Sequence, residues 1–519
     1  MFNKLNKPLL FTIILLTVFN FFFWQEKLGV NLLIFILLSC AALFILNQTS
    51  VKKFLTMMLF SLTIFACSMV VFSNSVFSQI SSIFCFIILV GYIHQPETKA
   101  ITTAIGISLG SFIIYPYNIL EGIRITKNKY KIANVIYRYS KLVVLPLICF
   151  MIFYSIYVYA NPLFSSYSVS FWDEIRNYVS DFFINYPFVR FMFLLLGSFL
   201  VIGFLYNRNI KIFVNFEKSF IDKLLMNTEG KAYSRIYPET GEPKNEFPDR
   251  IINAIPPAGE RRTGIILIAM VNVLLLILNI IDIRFTWFSF DPKEINNLAY
   301  YVHEGTYALI FSIVLSMAIL LFFFRGGVNF FEKNKPIKYF AYLWIIQNAV
   351  MTVSVAIRNY HYIEYYYALS YKRIGVMIFL ILTFIGLVTM FLKITNKWTL
   401  FKLVKVNCWA VVIVFLGMSA ASWDVEIAKY NLSNPNIYSV DIDYLLNLSD
   451  DSLPVLQKHS EVFDRDYTVK KWYKSETHYA AAILFNRIQS FKHDYQNRTW
   501  LSYNFADANA FEKLVISKK

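Results

Sequence analysis

The sequence predicts an all-α, polytopic membrane protein, a bundle of about eleven transmembrane helices followed by a small helical soluble domain. Three observations carry this expectation. The 519 residues are 57% hydrophobic and only 16% charged, with a mean hydropathy of +0.51, where soluble domains hold about 45–50% apolar and about 25% charged residues. Phe and Tyr reach 51 and 34 copies, an apolar mass that no core of this length can hide, so it faces lipid. The basic residues cluster in a few loops between apolar runs. The formal charge of +16 therefore marks cytoplasmic loops beside anionic headgroups and not a nucleic-acid surface. Membrane lipids are the expected partners; nucleic acid is not.

Runs long enough to span lie at 8–24, 28–46, 54–72, 76–93, 142–159, 188–205, 264–282, 305–324, 337–356, 374–392 and 403–423. Lys4 and Lys7 precede the first in the manner of a signal peptide, but no small-residue cleavage site follows, so it reads as an uncleaved helix. A twelfth candidate, 101–118, is less apolar and carries Gly106 and Gly110 as a GxxxG pair suited to tight packing. The loop 121–141 holds six Lys/Arg against one acid, 206–263 holds ten Lys/Arg, and 325–338 and 393–405 hold four each. All four loops fall on one side of the membrane, the cytoplasmic side by the positive-inside rule. Counting back, Lys4, Lys7, Lys52 and Lys53 join that side only if 101–118 does not span. Eleven spans are therefore read, with 101–118 re-entrant or lying on the surface, and twelve is the alternative. The N-terminus is then cytoplasmic and the C-terminus extracytoplasmic.

Three regions follow: N-terminal helices over 1–118, a transmembrane core over 119–423 with the cytoplasmic loop 206–263, and a C-terminal helical domain over 424–519. Within the core, "FWDEIRNYVSDFF" (171–183) reads as an amphipathic helix, with Phe171, Trp172, Ile175, Tyr178, Val179, Phe182 and Phe183 on one face. The loop 206–263 reads as helical at its start and irregular through its five prolines. The tail has twelve Lys/Arg against thirteen Asp/Glu. Its "SDDSLPVLQKH", "THYAAAILFNRIQSFKHDY" and "NAFEKLVIS" all read as helices, the first with a Ser/Asp start before Leu-Pro.

Chemistry is sparse. Cys40, Cys67, Cys85, Cys149 and Cys408 all sit in apolar runs without CxxC spacing, as small packing residues do. His303 and Glu304 are adjacent, but Tyr307 occupies the place of the second histidine of HExxH. No catalytic, metal or cofactor motif is found. The middles of the spans contain no Asp, Glu, Lys or Arg, which argues against ion-coupled transport but not against a carrier built on amides and backbone. The remaining polar residues align. Asn272, Asn279 and Asp282 fall within about 80° of one another on a helical wheel, and Gln347, Ser354 and Arg358 within about 40°, with Asn348 to one side. They form either interhelical hydrogen bonds or a polar cleft opening outward with Arg358 at its mouth. "RNYHYIEYYYALSYKRIG" (358–375) reads as the outer loop after that helix, its tyrosines at the interface. Asp282, Glu304, Arg358, Glu364, Arg373 and Asp424 would share this face. They read either as a headgroup or solute site or as ion pairs locking helix ends. The candidate ligand-binding set is Asp282, His303, Glu304, Gln347, Asn348, Arg358, Glu364 and Arg373.

The segments "NIIDIRFTW" (279–287), "HEGTYALIFSIVLSMAILLFFFRGGVNF" (303–330), "LWIIQNAVMTVSVAIRNYHYI" (343–363), "YKRIGV" (371–376), "WDVEIAKYN" (423–431) and "YLLNLSDDSLPVL" (444–456) resemble, over roughly 120–519, the bacterial family carrying domain of unknown function 4173, related to 4153. The resemblance implies a bacterial inner-membrane protein and transfers no catalytic residue. Three functions stay open. One is transport or lipid and solute handling through the outward cleft. Another is an envelope scaffold or sensor whose tail binds a protein partner. The third is a lipid-modifying enzyme using His303 or Glu304 as acid–base.

Overall fold

The structure is a computed structural model that describes residues 7–112, 150, 153–182, 188–206, 211–227, 232–244, 257–289, 298–330, 334–471 and 474–516. Among the described residues the protein is all-α apart from two small hairpins, and seven helices are long and apolar enough to cross a membrane, with four shorter apolar ones beside them. Helices α1 (Lys7–Phe23), α2 (Val30–Leu46), α3 (Phe54–Phe72) and α4 (Val76–His94) are followed by α5 (Ile101–Phe112). Next come α6 (Pro162–Phe182), α7 (Phe188–Leu205) and α8 (Lys211–Lys218). The hairpin β1 (Phe220–Met226) and β2 (Ala232–Arg235) leads to α9 (Pro257–Asp282), α10 (Leu298–Phe323), α11 (Lys335–Tyr366), α12 (Tyr371–Asn396) and α13 (Leu400–Met418). The tail holds α14 (Trp423–Asn431), α15 (Ile442–Leu446), α16 (Leu453–Lys458), the hairpin β3 (Asp466–Lys471) and β4 (Lys474–Tyr479), α17 (Ala480–Asn497) and α18 (Phe505–Ile516).

Buried side chains form three apolar clusters. One joins α1–α5 with α7 and α13. A second joins α9–α12, and the third is the core of the tail, reaching Ile374 and Ile378 of α12. The large outward residues Met270, Leu274, Phe311 and Ile346 are each more than half exposed, as lipid-facing positions are.

Several expectations are corrected. Of the stretch 358–375 only 367–370 lie outside helices. α11 is 32 residues long, about 48 Å at 1.5 Å per residue against a hydrocarbon core of about 30 Å, and it carries Arg358–Tyr366 as its last turns. It ends where Tyr367 turns left-handed at φ 49°. The apolar pattern ends near Val355, while the helix itself continues to Tyr366. The loop 206–263 contains an antiparallel hairpin pairing Phe220 with Arg235 and Met226 with Ala232. The tail contains another, Asp466 opposite Tyr479 through Lys471 opposite Lys474. Short two-stranded hairpins leave a weak alternation in sequence. The amphipathic helix begins at Pro162, well before Phe171, with Asn161 capping the backbone of Leu163 and Phe164.

Helix ends meet at two faces. At the tail end, Val30 N–H donates to the Tyr503 carbonyl at 3.0 Å, and a Cβ on Gly29 would lie 2.3 Å from that oxygen. Thr499 donates to Glu26 at 2.8 Å, Ser502 also donates to Glu26, and Lys27 pairs with Asp450 at 3.1 Å. Buried Asn31 closes the α1–α2 turn through Gly29, Leu32, Phe22 and Lys27. Ser73 donates to the Ser419 carbonyl at 2.9 Å. At the hairpin end, Ser50 donates to the Ile93 carbonyl, and the His94 ring meets the Phe204 carbonyl at 2.7 Å. Asp222 of β1 accepts from Lys402 and Lys405. Buried Glu217 accepts the Lys99 and Ala100 N–H groups at 3.0 and 2.6 Å, satisfying the orphan donors that start α5. From there α5 runs back along α4: a Cβ on Gly91 would lie 2.1 Å from the Ala104 carbonyl, and Ser108 donates to the Ile87 carbonyl. Gly106, expected to pack a helix through GxxxG, faces the Phe213 ring of α8.

Candidate functional site

The polar residues that align in the sequence meet in a seam between α9 and α11. The two helices run parallel, with α10 returning between them, so equal steps along each keep partners opposite. Asn272 donates to the Phe340 carbonyl at 3.0 Å and accepts from Gln347 Nε2 at 2.8 Å. Two turns on, Asn279 donates to the Gln347 carbonyl at 3.0 Å. One turn further, Arg358 pairs with Asp282, their side chains only 8% and 4% exposed. The helix then widens into a π-helical turn over Ile283–Phe288, a geometry that recurs at functional sites. It carries Trp287 Nε1 to Ser354 Oγ at 2.9 Å and the Thr286 carbonyl to His361 Nε2 at 3.0 Å.

Arg358 therefore does not stand at an open mouth: the ion pair closes the seam. Three buried acceptors along it, Asn279 Oδ1, Asp282 Oδ2 and Gln347 Oε1, have no hydrogen-bond partner among the described residues, and a fourth, Asn348 Oδ1, lies to one side on α11. In a lipid-embedded helix pair such atoms carry an unrelieved desolvation cost of about 1–3 kcal/mol each. The seam thus offers hydrogen-bond acceptance in excess of donation.

The remaining candidates divide. Arg373 is buried at the start of α12. Its guanidinium lies 3.7 Å from the Tyr362 ring centroid and donates to Asn359 at 3.3 Å, while Asn359 donates to the Arg373 carbonyl at 3.2 Å. This closes the α11–α12 turn. Asn348 Nδ2 donates to the Trp344 carbonyl within its own helix. Glu364 is exposed. His303 and Glu304 lie on α10, and their side chains are outside the described residues. The sequence reading missed Trp287 and Asn359, whose roles depend on the π-helical turn and on α11 continuing past the membrane. Among the described residues no group of three His, Cys, Asp or Glu could hold a metal ion.

The tail sits over this end. Asn431 bonds both the Leu369 N–H and carbonyl at 2.7 and 2.9 Å, and the Tyr444 hydroxyl accepts from Tyr371 N–H at 3.0 Å. The Ser449 hydroxyl lies between the carboxylates of Asp424 and Asp451. Burial pushes the Asp451 carboxyl up to about 7; Ser449 works against this, while Asp424, Asp507 and Asp450 add to it. Its neighbour Asp450 is also desolvated, but Lys27 and Arg487 hold it below the usual carboxylate range. A hollow of about 350 Å³ beside Asp450 is lined by Asn486, Arg487, Ser490 and Asp494.

A family model described as "Domain of unknown function (DUF4153)" matches residues 10–459. This is a family related to, but different from, the 4173 family that the sequence segments resemble, and it takes in the first helices, which that resemblance omits. No curated protein and no solved structure matches the chain.

Proposed function

The chain belongs to the DUF4153 family, and we propose that it is an integral membrane protein handling a donor-bearing polar solute or lipid headgroup at the α9–α11 seam. The observation that carries the reading is the set of three buried acceptors there, Asn279 Oδ1, Asp282 Oδ2 and Gln347 Oε1, that have no hydrogen-bond partner among the described residues. A hydroxyl- or amine-rich ligand supplies what those oxygens lack, and the Asp282–Arg358 pair acts as the closure between the seam and the tail face.

Within this proposal the chain has eleven spans in a bacterial inner membrane, the N-terminus cytoplasmic and residues 424–519 extracytoplasmic. Residues 29–30 touch or bond to Tyr503, so an even number of crossings separates them. Ten apolar runs lie between the two without 101–118 and eleven with it. Parity therefore favours α5 entering from the hairpin face and returning to it, and the basic loops put that face in the cytoplasm. The scaffold alternative is weakened by the tail's use of residues 431, 444 and 499–503 to grip the rest of its own chain.

Single cysteines at Asn279 and at Ile280, on a cysteine-free full-length background in intact cells, test the seam. Ile280 is 57% exposed toward lipid at the same depth. A membrane-impermeant cationic thiol reagent should modify position 279 and spare 280. If both stay unmodified, the seam is a dry structural contact and the reading is wrong. Cysteines at Tyr438 and Tyr237, both exposed, test orientation in the same cells: label at 438 alone is expected.

A further inference from the structure

We propose that the tail carries a lipid-binding surface of its own: the turn 499–505 seats Trp500 and Phe505 at the boundary between headgroups and acyl chains of the phospholipid beside α2 and α3. Only the choice of leaflet, the outer one, rests on the orientation proposed above.

The depth of this turn is fixed by what it touches. Leu501 is 2% exposed, and it belongs to the apolar cluster that joins α1–α5 with α7 and α13, not to the core of the tail. The 3₁₀ turn Trp500–Ser502 packs beside α2, and α18, which starts at Phe505, packs on α3. Polar bonds hold the turn there. Lys27 N–H donates to Ser502 Oγ at 2.8 Å, and the Tyr503 carbonyl accepts from Val30 N–H at 3.0 Å. Residues 24–29 join the apolar helices α1 and α2, so a turn bonded to them, with its leucine sunk between those helices, lies at the end of the apolar belt.

The turn is built for an apolar neighbour. Trp500, Tyr503 and Phe505 are 62%, 44% and 53% exposed, while Leu501, Ser502 and Asn504 between them are buried. A turn in water can leave its backbone to solvent, but one beside lipid must satisfy it internally. Here Thr499 Oγ1 accepts from Leu501 N–H at 3.2 Å. The Thr499 and Trp500 carbonyls accept from the Ser502 and Tyr503 N–H groups at 3.3 and 3.2 Å. The adjoining charge is neutralised as well, Arg498 pairing with Asp507. Trp suits this depth because its ring is apolar and its N–H can reach water. The occupant is lipid because the surface continues the outermost lipid-facing turns of α1 and α3, where Phe21 and Phe72 are 64% and 57% exposed.

The test is spin-label accessibility in the full-length protein, reconstituted in nanodiscs of phosphatidylglycerol and phosphatidylcholine. Single labelled cysteines on a cysteine-free background stand at Trp500, at Phe505, at lipid-facing Ile280, and at Glu461, a tail carboxylate whose side chain is 62% exposed. The ratio of collisions with dissolved oxygen to collisions with a water-soluble nickel chelate should be about fivefold or more higher at 500 and 505 than at 461, toward the value at 280. A ratio equal to that at 461 puts the turn in water, and few collisions with either reagent put it under protein; each result overturns the lipid surface. A label replaces the ring it reports on, so native Trp500 is the second probe, with the other eight of the nine tryptophans changed to Phe. Its fluorescence should be quenched by lipid brominated near the headgroup end of the chain and spared by aqueous iodide. Quenching by iodide and not by the brominated lipid overturns the proposal.

Discussion

Replacing Arg358 by Ala removes one half of an ion pair whose side chains are 8% and 4% exposed. It leaves the Asp282 carboxylate buried, with neither oxygen partnered by a described side chain. Breaking a buried pair from one side costs about 3–5 kcal/mol, whereas replacing both partners by apolar residues of similar volume is often neutral or stabilising. The Arg358 stem can carry a positive head toward the interface when its partner is lost, so D282L should cost less than R358A. The expected order of stability is wild type and D282L/R358M together, then D282L, then R358A lowest by about 3–5 kcal/mol. Thermal unfolding of the purified full-length protein in micelles, followed by tryptophan fluorescence, reads the cycle. R358A should melt roughly 6–20 °C lower if the α9–α12 unit, on the scale of a 150-residue domain, responds by about 2–4 °C per kcal/mol. The coupling between the two positions should exceed about 2 kcal/mol. An R358A protein within about 1 kcal/mol of wild type, with additive single effects, would falsify the buried pair and with it the closed seam.

Three further outcomes are expected. G29V puts a side chain where a Cβ already meets the Tyr503 carbonyl at 2.3 Å, so the tail should become sensitive to added protease while the helices still insert; an unchanged digestion pattern would sink the docking geometry. Asp451, with its carboxyl raised to about 7, binds a proton more tightly folded than unfolded, where Asp titrates near 3.9. Its stabilisation is complete below about pH 4 and is lost as the pH rises through 7. The shift is worth at most about 4 kcal/mol, and on the order of 2 kcal/mol after screening of a half-buried group. Tail protease resistance should therefore be greater at pH 5 than at pH 8 and flattened by D451N; equal resistance in the wild type refutes it. Q347L removes the bond to Asn272 and should cost only about 0.6–1.7 kcal/mol in the same melting assay, with a loss above about 3 kcal/mol showing that the seam is more than a pairwise contact.

The sequence alone determined the membrane class, the place of the long apolar helices among the described residues, and the faces on which Asn272, Asn279, Asp282, Gln347 and Arg358 lie. Hydropathy and the 3.6-residue period are local properties, and lipid makes them strict because no backbone group there can be left to solvent. Only the tertiary structure decided what those faces do. Arg358 became a buried partner of Asp282 because α11 continues past the apolar run, and an apolar run reports where lipid ends, not where a helix ends. The π-helical turn that brings Trp287 to Ser354 is a register change that composition does not record. The grip of Tyr503 on Val30 and of Lys393 on two separate turns joins residues far apart in sequence, and such pairings are set by how whole helices pack. Charge counts favour eleven spans over twelve, but the contact between residues 29–30 and Tyr503 is seen only in the folded chain.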